Sequence, residues 1–182
     1  MDSEGNRVST DGRSPRVGVK ALIVHDGKLL LNHIVTPDGH SLYGPPGGGQ
    51  EHGETQIQAL IRECREEIGA LVEVHQVACV YEVMTDRRFR DGAAIPPFHQ
   101  VNVAFWCGLA PGEEPGEPTS PDAGQVGCVW LPMEQLDQYD VRPAELVQWL
   151  GSDPSAREVR IGVTGEQRRR SAADVVTPPA AP

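Results

Sequence analysis

The stretch that decides the fold is GGGQEHGETQIQALIRECREEIG, residues 47–69. Thr55 followed by Gln58 is a capping-box pattern, which predicts that a helix begins at Thr55. Gly69 comes directly after the last periodic residue and supplies the stop. Between these signals the apolar residues recur at helical spacing, at Ile57, Leu60, Ile61, Cys64 and Ile68. The pattern therefore predicts an amphipathic helix over residues 55–68.

Three glutamates occupy a separate flank of this predicted helix. Glu63, Glu66 and Glu67 cluster at about 100° per residue, and like charges one turn apart oppose each other. Hard divalent cations take oxygen ligands, and Mg²⁺ typically uses a few carboxylates together with substrate phosphates. The alternative is a solvated acidic face paired with Arg62 and Arg65. The glycine-rich approach and the capped helix favour the metal site, because several levels of pattern then agree.

The same residues carry a resemblance to a known family. Gly48, Glu54, the segment from Arg62 to Glu67, and Gly69 follow the spacing G-x5-E-x7-R-E-x-x-E-E-x-G. This resembles the Nudix box of the Nudix hydrolases, which cleave nucleoside diphosphates linked to another group. The resemblance implies a fold of the α+β class, a Nudix-type α/β/α sandwich with a mixed central sheet, over residues 16–151.

The resemblance also implies roles within the box. In the family, the carbonyl that matches Gly47 and the glutamates that match Glu63, Glu66 and Glu67 bind one to three Mg²⁺ ions, or Mn²⁺ as a substitute. The pair that matches Glu54 and Arg62 forms a supporting ion pair. We therefore expect the catalytic residues to be Glu54, Arg62, Glu63, Glu66 and Glu67.

The general base stays open at this level. Glu63 is the first candidate, because a nearby carboxylate can take the proton of the attacking water. In many relatives the base or a further metal ligand comes from a downstream loop, and the candidates there are Glu113, Glu114, Glu117 and Asp122. Gln125 lies near the position where some relatives place a metal-binding glutamate, and a neutral amide would weaken one metal site.

Substrate contacts are predicted outside the box. Arg87, Arg88 and Arg90 form a dense basic cluster suited to bidentate phosphate contact, although a solvated loop is the alternative. Tyr43 is a further candidate for substrate binding. It could stack on a base, as could Tyr81 and Phe98, although each could equally belong to the core or its rim. No serine or cysteine nucleophile is supported by a neighbouring motif.

Pattern along the rest of the chain predicts its organisation. Residues 1–15 read as a disordered tail, residues 36–43 as a loop, and residues 152–182 as a C-terminal extension that contributes one strand at most, over 158–164. A second helix is expected over residues 143–150, with Pro143 in its first turn and Gly151 as its stop. Strands are expected over residues 16–25, 28–35, 71–84, 98–109 and 126–131.

Composition limits the classes of partner. The formal net charge of −10 disfavours binding to long nucleic acid. No apolar run approaches the length of a membrane span, and the polar start lacks a secretory pattern, so we expect a cytoplasmic protein without membrane contact. The assembly is left open between a monomer and a homodimer. Reduced core residues are expected for the cysteines, which are Cys64, Cys79, Cys107 and Cys128.

Together these patterns predict Mg²⁺-dependent hydrolysis of a pyrophosphate linkage in a small nucleotide substrate. The candidate substrates are ADP-ribose or a nucleotide sugar, a nucleoside triphosphate, and a dinucleoside polyphosphate. The alternative is a non-catalytic module that binds or senses nucleotides with the same fold. Loss of a box glutamate would favour that alternative, and none is lost.

Overall fold

The structure, a computed structural model, describes residues 14–85 and 98–164 of the chain. Seven strands and two helices follow one another in these ranges. Two short 3₁₀ helices, Met133–Gln138 and Pro154–Ala156, accompany them. The elements are β1 (Arg16–His25), β2 (Lys28–Val35), β3 (Ser41–Gly44), α1 (Gln56–Ile68), β4 (Val72–Thr85), β5 (Phe98–Leu109), β6 (Gln125–Pro132), α2 (Ala144–Gly151) and β7 (Arg160–Thr164).

The strands form one mixed sheet in the order β3-β2-β1-β5-β4-β7, with β6 paired to β2. The β1–β5 and β4–β7 pairs are parallel, and the other pairs are antiparallel. β1 pairs with β2 only at its last two residues. Along its first half the glycine-rich run takes the place of a neighbouring strand, since Val19 N donates to Gly48 O at 2.9 Å and Gln50 N donates to Val17 O at 3.0 Å. This arrangement fixes the glycines against the sheet.

Helix α1 lies where the capping box predicts it. Thr55 is the N-cap, its hydroxyl accepts from Gln58 N, and the Gln58 side chain accepts from Thr55 N. Gly69 ends the helix in the left-handed conformation, at φ 64°. The apolar face packs on one side of the sheet against Val19, Ala21, Ile23 and Phe105, so the opposite flank carries the charged residues.

The second helix covers the other side of the sheet. Leu146 and Leu150 of α2 are buried with Leu136 of the 3₁₀ helix against strand residues such as Leu22 and Leu31. Helices on both faces of a mixed sheet give the α/β/α layers that the sequence predicts, and the fold prediction is confirmed. Of the four cysteines, which are all free, three are buried and Cys128 is partly exposed.

Several details differ from the predictions. The prediction of a loop over residues 36–43 is wrong at its end, because Ser41–Gly44 forms strand β3, which pairs with β2. Its four residues are too few to show alternation. Gly151 belongs to α2 rather than stopping it, and Pro143 is the N-cap rather than a first-turn residue. The strand allowed over residues 158–164 is present as β7.

No helix in the described ranges is long and apolar enough to cross a membrane.

Candidate active site

A cavity of about 930 Å³ opens beside the glycine-rich run. Its walls come from the run itself, from the acidic flank of α1, from one face of β1, β4 and β5, and from the start of α2. Pockets of this volume suit a nucleotide-sized molecule. Of the predicted residues of the box, Gly47, Glu63 and Glu67 line this cavity, whereas Glu54, Arg62 and Glu66 lie outside its lining.

Arg62 organises the acidic wall of this cavity. Its guanidinium makes a bidentate contact with Glu54, at 2.7 Å and 3.2 Å, and also donates to Glu63 Oε1 at 2.8 Å and Glu66 Oε2 at 3.3 Å. A further bond reaches the carbonyl of Gly49 at 3.1 Å. The hydrogen bond from Arg62 holds the pKa of Glu54 below its ordinary value. The ion pair suggested by the sequence is thus present, and it ties helix α1 to the glycine-rich run.

Glu63 lies directly over Gly48. A Cβ atom added at Gly48 would stand 2.6 Å from the carboxyl carbon and both carboxylate oxygens of Glu63. Any side chain at residue 48 would therefore displace that carboxylate. The close approach explains on physical grounds why a glycine stands at this position of the spacing.

Glu67 is the most deeply placed of the three carboxylates, with 2% of its surface exposed. Its Oε2 accepts from Gly47 N at 2.6 Å and from Asn32 Nδ2 at 2.8 Å. Burial raises the pKa of Glu67, while Lys20 and these two hydrogen bonds act in the opposite direction. Lys20 also donates to the carbonyl of Gly47. A positive side chain therefore already lies among the predicted metal-binding oxygens.

The backbone at Gly47 requires glycine. Its φ is +125°, and a Cβ atom there would stand 2.2 Å from the carbonyl oxygen of Val19. This conformation directs the Gly47 N–H to Glu67 and leaves its carbonyl to Lys20.

The predicted metal-binding side chains fall into two groups with different hydrogen-bond partners. Glu63 and Glu66 are bonded to Arg62, whereas Glu67 is bonded to Gly47 and Asn32. Within residues 14–85 and 98–164, no three acidic, histidine or cysteine side chains converge as a ready metal-binding group. The assignment of Glu63, Glu66, Glu67 and Gly47 as metal ligands stays a prediction.

The other acidic candidates lie in the downstream loop, and they differ in whether they line the cavity. Asp122 lines the cavity, whereas Glu113 accepts from Leu71 N at 2.9 Å, beyond the far end of α1. Glu114 and Glu117 also lie outside the cavity lining. Gln125 donates from Nε2 to the backbone carbonyl of Glu67 at 2.7 Å. Its neutral amide therefore satisfies a carbonyl near the end of α1, which a carboxylate could not do.

The aromatic candidates all line the cavity, but Tyr43 is already engaged. Its ring stacks on His33, with centroids 5.0 Å apart, and meets the edge of Tyr139 at 5.7 Å. Tyr81 is buried in the floor and Phe98 lies at one side. The predicted cluster Arg87, Arg88 and Arg90 lies outside the described residues, so its role stays a prediction.

Comparison with known proteins identifies the family. A sequence model of the NUDIX domain matches residues 14–150. The chain belongs to the Nudix hydrolase family. The match includes α1, the glycine-rich run and six of the seven strands. The family membership predicted from the box is thereby confirmed.

Two relatives and one solved structure are similar to this Nudix chain. A CTP pyrophosphohydrolase of Escherichia coli (strain K12) is 31% identical over 129 residues, which are 70% of this chain and 84% of the relative. An ADP-ribose pyrophosphatase of Methanocaldococcus jannaschii is 31% identical over 99 residues, 54% of each chain. A solved NUDIX hydrolase from Nitrosomonas europaea has a TM-score of 0.59 at 23% identity, covering 75% of this chain and 86% of its own, and this likeness concerns the fold.

The structure adds residues that lie outside the Nudix box. Five polar residues of the strands also line the cavity. They are Arg16 and Lys20 on β1, Asn32 on β2, and Gln100 and Asn102 on β5. Arg16 is the first residue of β1, and the other four each interrupt a mostly apolar strand, as in VGVKALIV and KLLLNHIV. A polar residue within a strand of this kind was the available signal. The pattern shows that such a residue needs a partner, but only the fold shows that all five face one cavity.

Proposed function

We propose that this Nudix pyrophosphohydrolase cleaves a pyrophosphate linkage of a nucleotide in the cavity described above, with Mg²⁺, or Mn²⁺ as a substitute. The observation that carries the proposal is the position of Glu63 and Glu67 in the cavity wall, directly against the glycine-rich run. Arg62 holds this wall together on the side of α1.

The donor set fits a hard divalent cation. Gly47 O, Glu63, Glu66 and Glu67 offer oxygen atoms alone, which Mg²⁺ prefers. Asn32 Oδ1 adds a buried oxygen without a hydrogen-bond partner among the described residues. A buried acceptor left unpaired costs about 1–3 kcal/mol, and a hydrated cation beside Glu67 would satisfy it. Arg62 and Lys20 already contact these oxygens, which fits a wall that attracts positive charge.

We assign the metal to Gly47 O and to the carboxylates of Glu63, Glu66 and Glu67. When bound, such an ion lowers the pKa of a water molecule and neutralises phosphoryl oxygens. Reaching a shared ion requires Glu63 and Glu66 to exchange part of their contact with Arg62. The bidentate bond to Glu54 keeps Arg62 in place during that exchange.

The other roles follow from position. Glu63 is our candidate to accept the proton of the attacking water, because it faces the cavity beside Gly48. Asp122 is the alternative, as the downstream carboxylate that lines the cavity. Arg16 and Lys20 supply positive charge on the sheet side, where phosphate oxygens can be bound and oriented.

Among the candidate substrates we place nucleoside triphosphates first. The similar protein named as a CTP pyrophosphohydrolase matches this chain over 84% of its own length, against 54% for the one named as an ADP-ribose pyrophosphatase. The cavity volume also accommodates a base, a sugar and phosphates.

A substrate panel tests this proposal. The four nucleoside triphosphates, ADP-ribose, a nucleotide sugar and a dinucleoside polyphosphate are incubated with the protein and Mg²⁺, and products are separated by chromatography. We expect a nucleoside monophosphate and pyrophosphate from at least one triphosphate. The Glu67→Gln variant is the matched control for contaminating activity. Binding without turnover across the panel would instead indicate the non-catalytic module.

A further inference from the structure

Two buried amides form part of the cavity floor. Gln100 and Asn102 lie on β5 two residues apart, so their side chains share one face of the sheet. Only 6% of Gln100 and 2% of Asn102 is exposed, yet both line the cavity. Uncharged polar side chains are rarely buried this far without a hydrogen-bonding role.

The two amides bind each other and leave one group each. Gln100 Nε2 donates to Asn102 Oδ1 at 2.7 Å. Within the described residues, Gln100 Oε1 and Asn102 Nδ2 make no further hydrogen bond. The pair therefore presents an acceptor and a donor side by side. We call these two residues the amide pair.

Gly18 makes room for the amide pair. A Cβ atom at Gly18 would stand 1.9 Å from Gln100 Nε2 and 2.6 Å from Asn102 Oδ1. Gly18 is opposite Asn102 in the β1–β5 register, and its other side meets Gly49 of the glycine-rich run. The pair thus lies one strand away from the loop that packs on Glu63. A nucleotide with its phosphates at that loop would have its base within reach of the pair.

The surroundings of the amide pair suit a flat ring. Tyr81 and Val83 of β4 lie opposite Asn102 and Gln100 in the antiparallel register and line the same cavity. Phe98 extends this wall along β5. Apolar surface around a few fixed polar groups is typical of a pocket that orients a small aromatic ligand.

We propose that the amide pair is the subsite that reads the nucleobase edge of the substrate, and so decides which nucleotide is accepted. This inference rests on the proposed function, since it places a nucleotide in the cavity. Two hydrogen bonds to a base edge discriminate against the wrong base by roughly tenfold or more. Base choice is then set on β5, apart from the residues that we assign to hydrolysis.

The mutual hydrogen bond allows a single substitution to change the free groups from one acceptor and one donor to two acceptors. In Gln100→Glu the new carboxylate must accept from Asn102, which turns Asn102 Oδ1 towards the ligand and leaves two acceptors. Asn102→Asp accepts from Gln100 Nε2 and also leaves two acceptors. On the Watson–Crick edge, adjacent donors occur in guanine, at N1 and N2. Both variants should therefore shift preference towards guanine.

Calorimetric binding of AMP, CMP, GMP and UMP tests the inference without turnover, because a monophosphate has no pyrophosphate linkage. We expect the unchanged protein to prefer one or more bases. In Gln100→Glu and Asn102→Asp the affinity for GMP relative to the other three should rise by about tenfold. The double variant Gln100→Met/Asn102→Leu should bind all four alike. Gln76→Met, at an exposed glutamine outside the cavity lining, is the matched control.

Melting temperatures accompany each measurement, and either acidic variant that folds suffices. The inference is overturned if folded variants keep the original order of affinity for the four monophosphates, or if they lose affinity for all four in equal proportion. It is also overturned if the unchanged protein binds none of them. The hydrolysis panel is separate: base-selective binding without hydrolysis would overturn the proposed function and leave the amide pair in its role. Hydrolysis with an unaltered base order in the variants would do the reverse.

Discussion

The acidic wall and the amide floor of one cavity differ in how their charges are balanced. On the wall, Arg62 and Lys20 bind the oxygens of Glu63, Glu66 and Gly47, so each charge depends on another. On the floor, Gln100 and Asn102 are neutral and satisfy part of each other's hydrogen bonding. The wall can be rearranged by a competing cation, whereas the floor keeps its shape whatever the ionic conditions.

This difference separates two tasks. Bond cleavage needs charge that can be redistributed when phosphate arrives, and recognition needs groups that are fixed beforehand. A change on the wall should therefore affect turnover. A change on the floor should affect which molecule is bound.

Removal of divalent metal should have the largest effect, and it should act on the wall alone. With excess chelator, turnover should fall to the background rate, because the clustered carboxylates of the wall then have no divalent cation to bind phosphate oxygens and activate water. Monophosphate binding at the floor should persist. The measurement is product release by chromatography with chelator, and again after Mg²⁺ or Mn²⁺ is restored. Full turnover in chelator would contradict the proposed site.

Glu66→Gln and Glu67→Gln should each lower the rate by about a hundredfold or more, since loss of a transition-state charge contact is worth a few kcal/mol. Their effects on stability should differ. Glu66 is partly exposed, and its bond to Arg62 contributes about 1 kcal/mol at most. Glu67 is buried with a raised pKa, so its neutral replacement should melt without metal at or above the original temperature.

The test for these two variants is steady-state rate together with melting temperature in chelator. A near-normal rate in both would move the metal to another part of the chain. A large fall in the melting temperature of Glu67→Gln would mean that its charge, rather than its hydrogen bonds to Gly47 and Asn32, stabilises the wall.

Arg62→Ala should lower the rate by roughly tenfold to a hundredfold, as observed when residues that position metal ligands are changed. It removes the contacts to Glu54, Glu63, Glu66 and Gly49 together. Glu54→Gln should give a similar but smaller defect. The double variant should be little slower than Arg62→Ala, because the effects of substitutions at two contacting residues are not additive. Rates in a double-mutant cycle measure this, and simple additivity would show that the pair does not act together.

Two glycine variants test the wall and the floor separately, because each places one methyl group in one of them. Gly48→Ala collides with Glu63 and should lower kcat, whereas Gly18→Ala collides with the amide pair and should raise KM and weaken base preference. Gly151→Ala, where an added Cβ meets nothing within 4 Å, is the control. Kinetics on the preferred triphosphate separate the two effects. A fall in kcat alone for Gly18→Ala would argue against a separate recognition floor.

The smallest effect is expected from the basic cluster outside the described residues. Joint replacement of Arg87, Arg88 and Arg90 by alanine should raise KM for the substrate with the most phosphate charge, because arginine binds phosphate in a bidentate manner. KM values for a triphosphate and for ADP-ribose give the comparison. Unchanged values for every accepted substrate would identify the cluster as a solvated loop.

The sequence predicted the wall much better than the floor, for a physical reason. Thr55, Gln58, Arg62 and the glutamates belong to one helix, so their spacing alone fixes their relative positions. The amide pair needs β1, β4 and β5 in register before its partners are known. Lys20 and Asn32 come from separate strands, and only in the folded chain does Lys20 contact Gly47 and Asn32 contact Glu67 of α1. Residue spacing within one helix predicts relative positions, whereas it does not predict which residues of different strands come into contact.

Strand β7 has a consequence for how members of one family come to differ. The family match ends at residue 150, yet Arg160–Thr164 extends the sheet beyond it, and Thr164 both lines the cavity and donates to Glu82 O at 3.0 Å. Part of the cavity is thus built from a segment that the shared pattern does not constrain. Substitutions there can reshape the substrate boundary while the catalytic helix stays unaltered, so selectivity and chemistry can evolve at different speeds in the same molecule.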